Sequence, residues 1–296
     1  MDVWILFAFL QSLAGIGAYL IADFTRVRSF DLMFWNRIFG CVMLSPILLF
    51  IPPPTSASFY VLCLFTAAIY AIYDLVFLDM ASQKGAGLPT RIAPLSAWAT
   101  FILWLFINPS LMMKYIDNPL ASFGIISSAV LCGYFALRLR KCLLTWEAMK
   151  KALPFIGLSA LGAVFSKSAI DQTNMISGTF YYLFMQAALV GAIYMFMKLF
   201  MPNTTSQYAS GENIVRREFI LAGFLSALCF ISFGIFKISA FWSVENPAYV
   251  SVFGLLAPFW VFILKKILGK EEQGDILSGF GIVVGCICLV ICVNFL

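Results

Sequence analysis

The sequence contains no histidine and few charged residues. Of its 296 residues, 11% are Asp, Glu, Lys or Arg, whereas an ordinary soluble domain has roughly 25%. Hydrophobic residues make up 62% of the chain. A single soluble core stops growing near ~250 to 300 residues and still needs a polar shell. This composition therefore excludes a water-soluble globular fold and indicates a membrane protein.

The missing residues also exclude several kinds of chemistry. Without histidine and without an Asp-rich pair, the chain lacks the usual ligands of a catalytic zinc or a metal-diphosphate site. It has no P-loop motif, so ATP is not expected to drive its activity directly. The basic residues are scattered rather than gathered in one stripe, which argues against a nucleic-acid partner. We expect no enzymatic activity, no cofactor and no bound metal.

Eight cysteines are present, and seven of them fall inside apolar runs. This placement is not typical of a disulfide framework. Cys286, Cys288 and Cys292 are close together in the sequence, but they are embedded among Ile, Leu and Val. A metal site there is the weaker interpretation, and we predict that the cysteines are small packing residues between helices.

Ten apolar runs, each close to 20 residues long, divide the chain. A helix of about 20 residues crosses the hydrocarbon core of a bilayer, so each run is predicted to be one transmembrane helix. The predicted spans are residues 3–22, 32–51, 59–80, 87–107, 120–137, 152–170, 178–200, 219–241, 248–268 and 276–295. The sequence thus predicts an all-α integral membrane protein with ten transmembrane helices.

The fourth span of each half carries the same signal. An Ala-Pro step ends at Pro94 in the first half and at Pro258 in the second, and a tryptophan follows at Trp98 and Trp260. Proline removes an intrahelical hydrogen bond and clashes with the preceding turn, so Pro94 and Pro258 are predicted to mark equivalent bends. Two units of five spans have opposite orientations, as in the inverted repeats of many transporters.

The charges predict the domain organisation and the orientation. Residues 1–137 form the first five-helix repeat, residues 138–151 a charged central linker and residues 152–296 the second repeat. Of the 19 Lys and Arg residues, fifteen fall in odd-numbered connections, three in even-numbered ones and one, Arg37, inside a span. Because positive residues favour the cytoplasmic side, the linker is predicted to be cytoplasmic and both termini external. The expected location is the plasma membrane, which is the inner membrane in bacteria.

Three charged residues stand out within the predicted spans because they lie away from the span ends: Arg37, Asp74 and Arg91. A charge at the centre of a membrane helix costs ~2.5 to 3.5 kcal/mol on insertion scales, so each is a functional candidate. Arg37 and Asp74 both lie ~9 Å from the cytoplasmic ends of neighbouring spans, and they are predicted to pair. Two roles stay open. Either Arg37 or Arg91 anchors a substrate carboxylate or phosphate while Asp74 holds an amine or a proton, or the pair only orders the helices.

Aromatic and amide side chains near these charges complete the candidate substrate site: Trp35, Tyr70, Tyr73, Trp98 and Gln186. The rings could stack on an apolar or cationic substrate, with packing against lipid or protein as the alternative. Gln186 lies about 12 Å into the seventh span and is the best placed to face a cavity. Lys167 and Lys237 lie near the outer ends of their helices and are predicted to snorkel towards the headgroups.

The C-terminal part of the chain resembles a known repeat. Residues 247–258 end in an Ala-Pro step, a Gly-Lys-Glu connection follows at residues 269–271, and residues 279–285 are rich in glycine. This order resembles the end of the EamA repeat of the drug/metabolite transporter superfamily. In the first half, residues 108–119 replace the short Gly-Glu connection of that repeat.

The resemblance implies ten helices around a central cavity that opens alternately to each side, with a solute site near mid-membrane. Members of the family move amino acids, nucleotides, sugars, choline-like cations and drugs. We therefore predict a secondary transporter for a small polar or amphipathic metabolite, such as an amino acid, a nucleotide-like compound or an organic cation. The protein would work as a monomer or homodimer. A lipid or lipid-linked-sugar flippase is the alternative, and an integral-membrane enzyme is the weaker one.

Overall fold

The computed structural model describes residues 3–87, 89–92, 96–139, 146–201, 208–209, 216–269 and 275–296. For residues 84, 91, 92, 146–149, 151 and 152 it describes the backbone alone. Every regular element within these ranges is a helix. The predicted all-α class is therefore confirmed for this part of the chain.

The helices follow one another through short connections. In chain order they are α1 (Val3–Ala14), α2 (Gly17–Thr25), α3 (Ser29–Leu48), α4 (Ala57–Lys84), α5 (Pro89–Ile92), α6 (Ser96–Ile107), α7 (Pro109–Asp117), α8 (Pro119–Arg138), α9 (Trp146–Ile170), α10 (Met175–Phe200), α11 (Arg217–Trp242), α12 (Pro247–Phe253), α13 (Ala257–Ile267) and α14 (Ile276–Val293). A 3-10 turn, Gly254–Leu256, joins α12 to α13.

Eight helical segments in the described ranges are long and apolar enough to cross a membrane, which makes this a multi-pass integral membrane protein. They are Val3–Thr25, Ala57–Gln83, Pro119–Arg138, Leu153–Ile170, Met175–Phe200, Arg217–Trp242, Pro247–Ile267 and Ile276–Val293. These segments correspond to eight of the ten spans predicted from the sequence.

The second and fourth predicted spans are not among these segments. The second corresponds to α3, which is less apolar because it carries Asp31, Asn36 and Arg37. The fourth includes residues 88 and 93–95, which lie outside the described residues, and α6 after them has only 12 residues, or about 18 Å at 1.5 Å per residue. After α6 the chain bends by 104° into α7, so these two helices make a ninth span only if they cross together. Eight or nine candidate spans are present rather than the expected ten.

Asparagine followed by proline begins three of the described helices, α7, α8 and α12, and in two of them the asparagine side chain caps the helix. Asn108 accepts a hydrogen bond from the Leu111 N–H at 3.2 Å before α7, and Asn246 accepts one from the Ala248 N–H at 2.9 Å before α12. Asparagine satisfies unpaired N–H groups at helix starts, and proline suits the first helical position because its φ is fixed. This signal explains why residues 108–119, predicted as a connection, contain the helix α7.

Helix α14 begins at a different cap. Asp275 accepts hydrogen bonds from the Ser278 hydroxyl at 2.6 Å and the Leu277 N–H at 3.1 Å. The Ser278 hydroxyl is the main group that holds the pKa of Asp275 below its usual range. The Asp275 N–H also donates to the carbonyl of Leu139 at 2.8 Å. The start of α14 is thereby tied to the residue that follows α8.

Glycine allows α8 and α14 to pack closely along their length. A Cβ added at Gly285 would lie 2.5 Å from Sγ of Cys132, and one at Gly281 would lie 2.5 Å from the ring of Phe135. Contacts this short are not tolerated, so both positions require glycine unless the neighbour moves. Small residues that let backbones approach are typical of membrane helix interfaces.

Proline interrupts the helix that contains the Ala-Pro step of the second half. Pro258 lies in the first turn of α13, directly after the 3-10 turn Gly254–Leu256. Pro258 has no N–H to donate to the Gly254 carbonyl four residues earlier, so α-helical bonding cannot continue through this point. The structure thus shows a change from 3-10 to α-helical bonding before Pro258, whereas the predicted bend there stays a prediction. Pro94, its counterpart, lies outside the described residues.

Candidate functional site

A cavity of about 240 Å³ lies within the helix bundle. Side chains from α1 to α6 and from α9 to α13 line it. Its volume equals that of roughly eight molecules of liquid water and is smaller than the roughly 300–1,000 Å³ of pockets for drug-sized ligands. The cavity therefore suits a small metabolite.

An ion pair between α3 and α4 forms part of the cavity wall. Nη2 of Arg37 contacts Oδ2 of Asp74, and the Arg37 Cζ lies 4.2 Å from the ring centroid of Phe230. The Arg37 side chain is only 2% exposed, whereas that of Asp74 is 22% exposed. The predicted pairing of Arg37 with Asp74 is confirmed, and their contact with a substrate stays a prediction.

The pair lies deeper than the sequence suggested. Asp74 is ten residues before the last residue of α4, Lys84, and Arg37 is eight residues after the first residue of α3, Ser29. At 1.5 Å per residue these positions are about 15 and 12 Å from the helix ends. The predicted depth of ~9 Å was too small because both helices extend beyond the apolar runs. The pair is thus closer to the middle of the bundle.

Four buried polar atoms of cavity-lining residues have no hydrogen-bond partner: Nε and Nη1 of Arg37, Oδ1 of Asn36 and Oε1 of Gln186. The other ends of both amides are occupied. Asn36 donates to Ser226 Oγ at 2.8 Å, and Gln186 donates to Thr66 Oγ1 at 2.5 Å. An unpaired buried polar atom costs about 1–3 kcal/mol, so a ligand that reached these atoms when the cavity opens would stabilise the site. Gln186 faces the cavity, as predicted.

Lys237 on α11 also lines the cavity. Its ammonium donates to the hydroxyl of Tyr70 at 3.2 Å. Three aromatic rings surround the ammonium, with centroids at 5.2 Å for Tyr70, 5.5 Å for Phe233 and 5.4 Å for Phe241. It also interacts electrostatically with Asp74. The prediction that Lys237 snorkels to the headgroups is wrong.

The direction of the side chain explains this error. Helical side chains lean towards the N-terminus of their helix, and Lys237 lies near the C-terminal end of α11, so its stem leads back into the bundle. The sequence did contain a signal, because Phe230, Phe233 and Phe241 share its helix face at spacings of seven, four and four residues. Lys167, near the C-terminal end of α9, pairs at 2.6 Å with the partly exposed Asp171 just past the end of the helix, and its reach towards the headgroups stays a prediction.

Tyrosines supply hydroxyl groups around the charges. Tyr70 and Tyr73 both line the cavity, and their rings meet edge to face at 6.3 Å. Tyr19 on α2 hydrogen-bonds to Tyr73, and Tyr182 on α10 shares a 2.5 Å hydrogen bond with Ser166 of α9. The structure therefore brings Tyr70 and Tyr73 to the site, as the sequence analysis predicted.

Trp35 and Trp98 do not contribute to the lining of the cavity. A helix turns about 100° per residue, so Trp35 points away from the face that carries Arg37, and Trp98 points away from the face of Ser96. Trp35 instead packs on α11, where its Cβ would lie 2.2 Å from a Cβ added at Gly223. Trp35 and Trp98 are therefore not part of the cavity lining, although the sequence placed both in the candidate substrate site.

The remaining candidates are Arg91 and the cysteines of α14. The side chain of Arg91 lies outside the described part of the structure, although its backbone belongs to α5. Cys286, Cys288 and Cys292 are on α14, which does not line the cavity, and Cys286 Sγ lies 3.9 Å from that of Cys132. Among the described residues, no group of three or more His, Cys, Asp or Glu is placed to hold a metal ion.

No protein-family profile matches this chain, and no characterised protein matches it. The resemblance of residues 247–285 to the EamA repeat therefore has no support from a family match and stays a prediction. The function is therefore inferred from helix length, hydropathy and the cavity.

Proposed function

We propose that this chain is a secondary transporter that moves a small polar or amphipathic metabolite across the plasma membrane by alternating access. The observation that supports this most strongly is the cavity inside an otherwise apolar bundle. It holds three charged side chains, Arg37, Asp74 and Lys237, and buried polar atoms without a protein partner. Charges within membrane helices are costly to keep, and a purely structural core would be more stable without them.

Two interrupted helical segments meet at this cavity, and described residues of the fourth predicted span line it as well. Gly15, between α1 and α2, lines it, as does Gly254 in the 3-10 turn between α12 and α13. Thr90 of α5 and Ser96 of α6 line it on either side of residues 93–95. Irregular backbone at membrane depth is tolerated where it lines a cavity, and discontinuous helices form the substrate sites of many transporters. These breaks favour a solute site with gating motions around it.

The proposal includes ten crossings in two inverted repeats of the EamA type. For this count, α3 crosses despite its polar residues, since its 20 residues span about 30 Å, and α5 and α6 together form the fourth crossing. The segments that contain Pro94 and Pro258 would then be equivalent, and the cavity is lined by Thr90 and Ser96 beside the first and by Gly254 and Ala257 beside the second. The solute would leave unchanged, because we propose transport and no catalysis.

Uptake into liposomes tests this proposal. The purified protein is reconstituted and offered labelled amino acids, organic acids, sugar phosphates, nucleotides and organic cations, beside protein-free liposomes. We expect saturable uptake of at least one solute. Replacing the cavity residue Ala163 by Phe should abolish the uptake because it fills the cavity, whereas Ala129→Phe in the separate α8 region is the matched control. Movement of a labelled lipid without any solute uptake would instead favour the flippase.

A further inference from the structure

We infer that the cavity selects small anions, carboxylates or phosphates, and that Lys237 is a second cationic contact for them beside Arg37. The inference rests on the proposed transport function and adds the substrate class to it. Arg37 was already a candidate anchor for a carboxylate or phosphate, and the new elements are the contact from Lys237 and the selection of anions over cations.

The charge balance of the cavity is the first argument. The described lining contains two cations, Arg37 and Lys237, and one anion, Asp74. Asp74 already pairs with Arg37, so one positive charge is left over within the bundle. Lys237 is half-buried, and the cost of removing its charge from water is offset by a counter-charge. An anionic substrate supplies that compensation, whereas a cationic one would meet two like charges and a carboxylate that is already engaged.

The hydrogen-bond donors of the two cations are the second argument. Arg37 uses Nη2 for Asp74 and leaves Nε and Nη1 without a partner. An ammonium has three donor hydrogens, and that of Lys237 donates to Tyr70. Helices α3 and α11, which carry the two residues, pack directly on each other. Charge-assisted bonds from guanidinium and ammonium groups to carboxylate or phosphate oxygens are the strongest that this cavity offers.

The surroundings of the two cations are the third argument. Phe230 covers Arg37, and Phe233 and Phe241 lie beside the ammonium of Lys237. Apolar walls exclude water and lower the local dielectric constant, so a bond between opposite charges is stronger there than in water. The rings thus increase the preference for an anion over a neutral solute of the same shape.

The unpaired amide oxygens narrow the class further. Oδ1 of Asn36 and Oε1 of Gln186 can only accept hydrogen bonds, and both residues are less than 4% exposed. A substrate that satisfies them must itself donate, through a hydroxyl or an amine. We therefore expect a small hydroxy acid, an amino acid or a sugar phosphate rather than a simple anion without a donor.

Matched solutes test the class without any variant. Uptake of the labelled solute found by the liposome panel is measured with competitors that differ only in charge: lactate against lactamide, and glycerol phosphate against glycerol, with choline as the cation. We expect inhibition by at least one anion and much weaker inhibition by its neutral partner and by choline. If neutral or cationic compounds compete as well as the anions, the inference fails while the transport function stands. If no solute is taken up by folded protein, both fail.

Variants test the role of Lys237. In Lys237→Gln we expect the apparent affinity for the anion to fall by about tenfold or more, because one charged hydrogen bond is lost. Lys237→Arg should retain most of the affinity, since it keeps the charge. Lys266→Gln, which removes an exposed lysine of α13, should change nothing. Thermal unfolding of each variant in detergent separates lost affinity from lost folding. Unchanged affinity in folded Lys237→Gln would overturn the assignment.

Discussion

At the scale of single residues, the Arg37–Asp74 pair is costly to break and is also a candidate for substrate binding. Arg37 is 2% exposed, and removing its partner would leave a buried guanidinium with no counter-charge. Removing one member of a buried pair costs about 3–5 kcal/mol, whereas replacing both members is often nearly neutral. The pair can therefore be tested for structure and for function separately.

We predict that Arg37→Ala and Asp74→Ala each lower the stability of the protein by about 3–5 kcal/mol, and that the double variant is more stable than either. The exposed pair of Lys114 and Glu245 is the control, because breaking a surface ion pair costs only about 0–1 kcal/mol. Thermal unfolding and solute uptake are measured together.

The double variant distinguishes the two roles of the pair. If it regains stability but not transport, Arg37 and Asp74 belong to the substrate site, as the account requires. Recovery of both stability and transport would reduce the pair to a structural element. Single variants with unchanged stability and transport would contradict both roles.

The sequence predicted this pair because opposite charges at similar depth on neighbouring helices need each other in an apolar environment. It missed Lys237, because the distance of this residue from the helix end was considered and the phenylalanines on the same helix face were not. Trp35 and Trp98 were assigned to the site through proximity in sequence, although adjacent residues lie about 100° apart around a helix. The types of the two charged residues thus predicted their contact, whereas position along the sequence did not predict which side chains line the cavity.

At the scale of the helices, glycine determines how closely α8 and α14 approach. We predict that Gly285→Ala destabilises the protein by about 1–3 kcal/mol, the usual cost of overpacking, because the new Cβ would lie 2.5 Å from the Cys132 sulfur. Replacing Cys132 by Ala in the same variant should restore part of the loss. Gly157→Ala on α9, where nothing lies within 4 Å, is the control and should be neutral or slightly stabilising. Equal unfolding temperatures for Gly285→Ala and Gly157→Ala would contradict the packing.

The pattern of elements was predictable wherever a long apolar run coincides with one helix. The prediction failed where polar residues lie inside a helix, as in α3, and where an interruption divides a run, as between α1 and α2. Helix α7 was predicted to be a connection because it is short, and its Asn-Pro start, which is typical of a helix, was not taken into account. Each failure lies at the cavity or at a helix break, where packing overrides a simple hydropathy signal.

At the scale of the whole molecule, the orientation rests on the positive charges of the connections. We predict that residues 138–151 are cytoplasmic. A membrane-impermeant thiol reagent applied to intact cells should therefore not modify Cys142, whereas inside-out vesicles should be modified there. Comparison with Cys142→Ser identifies the signal of this residue among the eight cysteines. Modification of Cys142 from outside intact cells would reverse the topology.

Ion pairs at one end of the bundle join elements that line the cavity. Asp23 at the end of α2 pairs with Lys265 of α13, and Arg28 before α3 pairs with Asp79 of α4. The first pair connects the N-terminal and C-terminal halves of the chain. In an alternating-access cycle this end must open in one state, and the helix breaks beside the cavity are where the backbone can bend to allow it.

Alternating access requires that the cavity can be reached from each side of the membrane in turn. Cysteine accessibility tests this requirement without knowledge of the substrate. Ser159 lines the cavity 3.4 Å from Ser96, so Ser159→Cys places a thiol there. Its modification by an impermeant reagent is measured by mass spectrometry in intact cells and in inside-out vesicles. The native Cys132 and Cys286, buried between α8 and α14, serve as unreactive controls. Alternating access predicts modification of residue 159 from both sides of the membrane. Modification from one side only, or from neither, would contradict this mechanism.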